Sequence, residues 1–137
     1  NTSGSYNTAL GQQALYNNTT ASGNMAVGYQ AMYSNTTGAY STGVGHQALY
    51  SSNTDYNTGV GYIAGLNTTT GQANAYFGSF AGSAITTGGS NTCLGHGACY
   101  SGTSLTTGYN NIYVGTNAGA ATAAESMVNF MIFPKCV

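Results

Sequence analysis

Residues 24–38 read NMAVGYQAMYSNTTG, and the phrase returns as NTALGQQALYNNTT at 7–20 and as STGVGHQALY at 41–50. Aligned on the glycine after the apolar residue, the chain falls into register at Gly11, Gly28, Gly45, Gly61, Gly78, Gly95 and Gly115, spaced by 17, 17, 16, 17, 17 and 20 residues. Four residues before each stands Asn7, Asn24, Ser41, Asn57, Asn74, Asn91 or Asn111. Three residues after each stands Ala14, Ala31, Ala48, Ala64, Ala81, Ala98 or Ala118. Directly before it lies Leu10, Val27, Val44, Val60, Phe77, Leu94 or Val114, and seven before it glycine recurs at Gly4, Gly38, Gly71, Gly88 and Gly108. Self-similarity at one fixed period marks a stacked repeat architecture.

Each unit holds two short strand-like segments, around TAVG and QALY, closed by Asn, Thr and Gly, which are turn formers. We therefore expect each repeat to be one coil of two short strands and two turns. The period lacks helical apolar spacing and any leucine-rich or Trp-Asp signature, which leaves an all-β chain, a parallel β-solenoid or β-roll of about seven 17-residue coils. The solenoid is expected over residues 1–124, with residues 125–137 as an apolar cap or connector strand. Equivalent residues then stack about 4.8 Å apart. The Asn column is expected to form a hydrogen-bonded ladder, and the Gly column to allow a conformation or close approach closed to larger residues.

A narrow coil needs a small inner column, which the alanines supply. The larger column from Leu10 to Val114 is assigned to the core as well, but needs a second surface, as do Leu15, Met32 and Leu49 with Tyr16, Tyr33 and Tyr50. Other copies of the chain would provide it, so we expect self-association. Composition narrows the partners further. Asp55, Glu125 and Lys135 are the whole charged complement of 137 residues. One lysine and no arginine cannot make a phosphate-binding patch, which excludes nucleic acid. No apolar run is long enough for a membrane helix, and the start has neither the basic residues nor the apolar core of a signal peptide, so it reads as processed or truncated. Twelve tyrosines and a 42% hydrophobic content argue for order despite 21 glycines.

The units quoted above resemble repeats of phage and giant-virus tail-fibre proteins and, more distantly, the N-S-V-A-I-G coils of trimeric autotransporter adhesin heads. The resemblance covers nearly the whole chain, and NNIYVGTNAGAATAAES at 110–126 is similar to the last coils before a C-terminal self-cleaving chaperone domain in some such fibres. It implies a left-handed homotrimeric β-roll on a virion or cell surface, outside the cell. A structural fibre component, with adhesion as an added role, is the function this resemblance suggests, with end-to-end polymers as a further form.

Catalysis needs a nucleophile beside a base, or paired carboxylates, and His46, His96, Asp55 and Glu125 make no such constellation. We expect no enzyme and no cofactor. His46 and His96 share one variable column three coils apart, which suits surface or interface residues; three chains meeting at an axial ion is the other reading. Cys93 and Cys99 flank His96 at spacings that match no zinc pattern. They are expected as small core residues, with a disulfide to Cys136 or to another chain as the alternative.

The tyrosines could hold a neutral glycan, with Tyr29 and Tyr62 as the contacts to test, though packing between chains explains them too. The pairs Thr19–Thr20, Thr36–Thr37, Thr69–Thr70, Thr86–Thr87 and Thr106–Thr107 could form an ice-binding hydroxyl array, but they sit beside turns. Asn1, Asn17, Asn18, Asn35 and Asn67 lie in N-x-[ST] sequons that matter only in a glycosylating host. The apolar stretch from Met127 to Val137 is expected to cap the solenoid's open end or to join the next subunit.

Overall fold

A computed structural model describes residues 1–100 and 106–119. It contains seven strands of three residues each: β1 (Thr8–Leu10), β2 (Met25–Val27), β3 (Thr42–Val44), β4 (Thr58–Val60), β5 (Ala75–Phe77), β6 (Thr92–Leu94) and β7 (Ile112–Val114). All pair in parallel, in chain order, so the backbone makes about six turns of a β-solenoid. The register is the one read from the repeats, with Ala9 opposite Ala26, Gly43 opposite Gly59 and Cys93 opposite Tyr113. No helix occurs among the described residues. The cap or connector expected at 125–137, the pairing of Cys136, and Glu125 and Lys135 lie outside them.

One expectation is corrected at once, because each coil holds one strand rather than two. The QALY segment is a turn. Its second and fourth residues after the glycine take left-handed backbone angles, as in Gln13 (φ 59°) and Leu15 (φ 49°), Gln30 and Met32, and Gln47 and Leu49. Alternating left-handed residues curl the chain back toward the axis, where an extended segment would carry it away. Such angles are unfavourable for bulky side chains. What holds them is hydrogen bonding to the next coil: Leu15 N–H donates to Ala31 at 3.0 Å, and Met32 N–H to Ala48 at 2.9 Å.

The core is also drawn differently. Side chains alternate along a strand, so the central residue points inward and its two neighbours outward. The apolar column Leu10, Val27, Val44, Val60, Phe77, Leu94 and Val114 therefore stands on the outer face of the sheet and is not the core of the single chain. Leu10 is 67% exposed and Leu94 47%. Leu15, Met32 and Leu49, expected to need a second surface, are instead buried inside the coil. The alanine column is buried as expected from Ala31 to Ala118, and Ala14 packs against it from the first coil, partly buried.

In most coils the interior is filled by compensating pairs, one from the strand centre and one from the turn opposite, whereas the fourth coil has glycine at both places, Gly59 and Gly65. Ala26 faces the Met32 position, Gly43 that of Leu49, and Tyr76 that of Gly82. A large side chain also leans over the small one of a neighbouring coil. A Cβ on Gly43 would lie 2.8 Å from Met32 Cγ, one on Gly59 2.8 Å from Leu49 Cγ, and one on Gly65 2.6 Å from the Tyr76 ring. In the sixth coil the pair is covalent, since Cys93 and Cys99 form a disulfide across the interior. Both are fully buried, so the core-residue expectation holds for their place while their partners are each other.

Closing so short a loop removes about 2 kcal/mol of unfolded-state freedom. The double variant Cys93→Ala/Cys99→Ala is expected to lose about that much in chemical denaturation. Unchanged stability, or the same loss from reducing agent on the variant, would contradict the assignment.

Candidate functional site

Around the coil, equivalent residues form ladders, and the asparagine ladder is the most regular. Each Nδ2 donates to a turn carbonyl of the next coil: Asn7 to Ala21, Asn24 to Gly38, Asn57 to Gly71, Asn74 to Gly88 and Asn91 to Gly108, at 2.7–2.9 Å. Each Oδ1 accepts the next rung's backbone N–H, as Asn24 N–H to Asn7 and Asn91 N–H to Asn74. Asn111 closes the row by donating to Asn91 through backbone and side chain. Ser41 fits the column because its Oγ accepts Asn57 N–H at 3.0 Å. Buried amides satisfied on both sides hold register, because a slip by one residue would strand them.

A second buried polar column, Asn18, Asn35, Ser52 and Thr68, escaped sequence reasoning. Asn18 and Asn35 register in the sequence only as sequons, and their burial removes them as glycan acceptors. Asn18 clamps its own turn through Ala21, accepting its N–H and donating to its carbonyl. The threonine pairs also serve corners. Thr36 carbonyl accepts N–H groups from Thr19, Thr20 and Ala21, and the Thr19 hydroxyl as well. The Thr69 and Thr86 hydroxyls donate likewise to Thr86 and Thr106. Hydroxyls committed in this way do not form a free array.

Aromatic residues gather on the columns that follow the glycine, with a separate row of exposed tyrosines, Tyr40 and Tyr56 stacked at 5.7 Å among them, ahead of the asparagine ladder. Tyr16, Tyr33 and Tyr50 stack with centroids 5.4 and 5.2 Å apart and planes within 3°. Beside them Gln13, Gln30 and Gln47 form an amide ladder at 2.8–2.9 Å. Tyr29 and Tyr62, the expected glycan contacts, are brought into one exposed ridge with His46 between them, at 5.0 and 5.3 Å. The ridge continues through Phe80 to His96. His46 and His96 thus share a column but are separated by rings, and no group of three His, Cys, Asp or Glu residues able to hold a metal occurs among the described residues. Asp55 is engaged as an acceptor from Ala39 N–H at 2.8 Å.

From the fourth coil the pattern on this face changes. Where coils one to three carry Gln and Tyr, the fourth carries Ile63 and Leu66, the fifth Phe80 and Ser83, and the sixth Gly97 and Tyr100. The tyrosine stack is therefore interrupted, and an open groove of about 330 Å³ lies there, lined by Ile63, Leu66, Asn67, Phe80, Ser83, Ala84 and Tyr100. Phe80 meets Tyr62, His96 and Tyr100 edge to face at 5.4–5.7 Å. Of the tyrosines, Tyr76 is the one locked in the core, where desolvation pushes its phenol pKa up and a hydrogen bond with Thr68 at 3.1 Å offsets part of that. Sequence comparison adds no relative: no family model, curated protein or solved structure matches the chain.

Proposed function

We propose that the chain is a structural segment of an extracellular or virion fibre, a non-catalytic rod that associates as a homotrimer through the outer face of its sheet. The observation that carries this is the column from Leu10 to Val114, apolar in every coil yet left partly exposed at its centre and more so at Leu10, Phe77, Leu94 and Val114, on a narrow, uncharged sheet. Thr8, Met25, Thr42, Thr58, Ala75, Thr92 and Ile112 share that face, since they too alternate with the inward residues. Identical stacked columns on each copy can meet along a common axis without facing any charge. A contiguous apolar strip of this kind is unusual on a monomer.

Two further features support a fibre role. Hydrogen bonds between coils engage backbone and side chains alike, which resists local opening and hence proteolysis. A disulfide buried in a coil suits an oxidising compartment. The test is the mass in solution by sedimentation or light scattering. A trimer, three times 13.9 kDa or about 42 kDa, is expected. Val60→Asp, which places charge at the centre of the strip, is expected to give a folded monomer with an unchanged far-UV spectrum. A wild-type chain that stays monomeric at high micromolar concentration would overturn the proposal.

A further inference from the structure

We propose that the groove at coils four to six is a binding site for a neutral pyranose ring, such as a hexose of a surface glycan. Its position is set by the repeat. One residue column carries Tyr16, Tyr33 and Tyr50 in a continuous stack, then Leu66, Ser83 and Tyr100. Replacing a ring by serine in a column whose rings lie 5.2–5.4 Å apart leaves a slot about one ring thick. The walls are Ile63, Leu66, Phe80 and Tyr100, which match the apolar C–H face of a sugar.

The floor supplies an independent observation. Ser83 is largely buried and lines the groove, and no hydrogen bond among the described residues occupies its hydroxyl, which is open to a ligand in the groove. At the rim, Asn67 Nδ2 donates to the Ser83 carbonyl at 2.7 Å, which fixes the amide and leaves its Oδ1 available to accept a sugar hydroxyl. The Tyr100 hydroxyl adds a group able to donate or accept. Apolar walls with a few convergent polar groups are how small-molecule sites are built. None of the lining residues is charged, so an ionised sugar would lose water there without compensation. The groove lies on the columns after the glycine, away from the outer sheet face, and does not depend on the oligomer.

The experiment uses the full chain, with amide and methyl NMR shifts followed during titration with methyl β-galactoside, methyl β-glucoside and methyl α-mannoside. N-acetylneuraminic acid serves as the anionic comparison. Saturable shifts centred on Leu66, Ser83 and Ala84 are expected for at least one neutral hexoside. Ser83→Tyr, which restores the stack, is expected to weaken binding at least tenfold. Tyr100→Ala, at an exposed position, is expected to weaken it severalfold with an unchanged melting temperature. Absence of saturable shifts with all three hexosides, or full affinity in both variants, would overturn the site. Measuring mass on the same samples keeps that failure separate from failure of the trimer.

Discussion

Gly61→Ala is expected to destabilise the chain by about 4 kcal/mol, enough to abolish or split the unfolding transition of a domain of ordinary stability. Two effects add. Gly61 has φ +137°, a region essentially closed to residues with a Cβ, and an added methyl would sit 2.5 Å from the Gly78 carbonyl oxygen and 2.6 Å from its carbon. The obstacle is backbone, which cannot swing aside, so coils four and five would have to separate. The same substitution at Gly115 isolates the conformational part, because there φ is +125° but a Cβ meets nothing among the described residues. Gly115→Ala is expected to cost about 1–3 kcal/mol. Equal effects in thermal or urea unfolding would show that stacking distance is not what demands glycine.

Tyr76→Ala should be nearly as damaging, with an expected loss of about 3–5 kcal/mol, the range for removing a buried aromatic ring. The ring fills space that Gly65 and Gly82 leave empty, and the backbone cannot collapse into it without breaking the ladders on either side. Tyr76→Phe keeps the ring and gives up the Thr68 hydrogen bond, so about 1 kcal/mol is expected. A decisive variant transplants the third coil's arrangement, Gly43 with Leu49, into the fifth as Tyr76→Gly/Gly82→Leu. Gly82 already has φ +64°, close to the 52° of Leu49, so the exchange is expected to recover part of the loss. A double variant less stable than Tyr76→Ala would refute pairwise filling of the interior.

Those pairs explain why part of the fold was hard to read. The strand-centre column runs Ala9, Ala26, Gly43, Gly59, Tyr76, Cys93, Tyr113, and looks like noise because its residues are matched to ones six places later or, at Gly59 and Gly65, to large side chains of the coils on either side. The uniform column from Leu10 to Val114 looked like core for the opposite reason. Its regularity comes from facing outward on every strand, where nothing inside the chain forces a change of size. Similarly, the disulfide could not be inferred from spacing, since only the width of the coil brings Cys93 and Cys99 together across it.

The candidate site was legible in part. Tyr29 and Tyr62 were identifiable as exposed rings in one column, but the groove depends on an interruption, Ser83 among tyrosines, that acquires meaning only when neighbouring coils are seen to touch. Asn18, Asn35 and Thr68 were missed as a buried ladder because their residue types vary and their local context reads as turn.

The amino-acid order by itself determined the period, the register and the stacking of like on like, because a residue type that recurs at a fixed interval finds its best hydrogen-bond partner in its own copy one coil away. Which columns face inward, which turns curl through left-handed angles and which side chains share an interior were decided only in three dimensions. Those choices depend on the space between coils, and no single repeat contains that space.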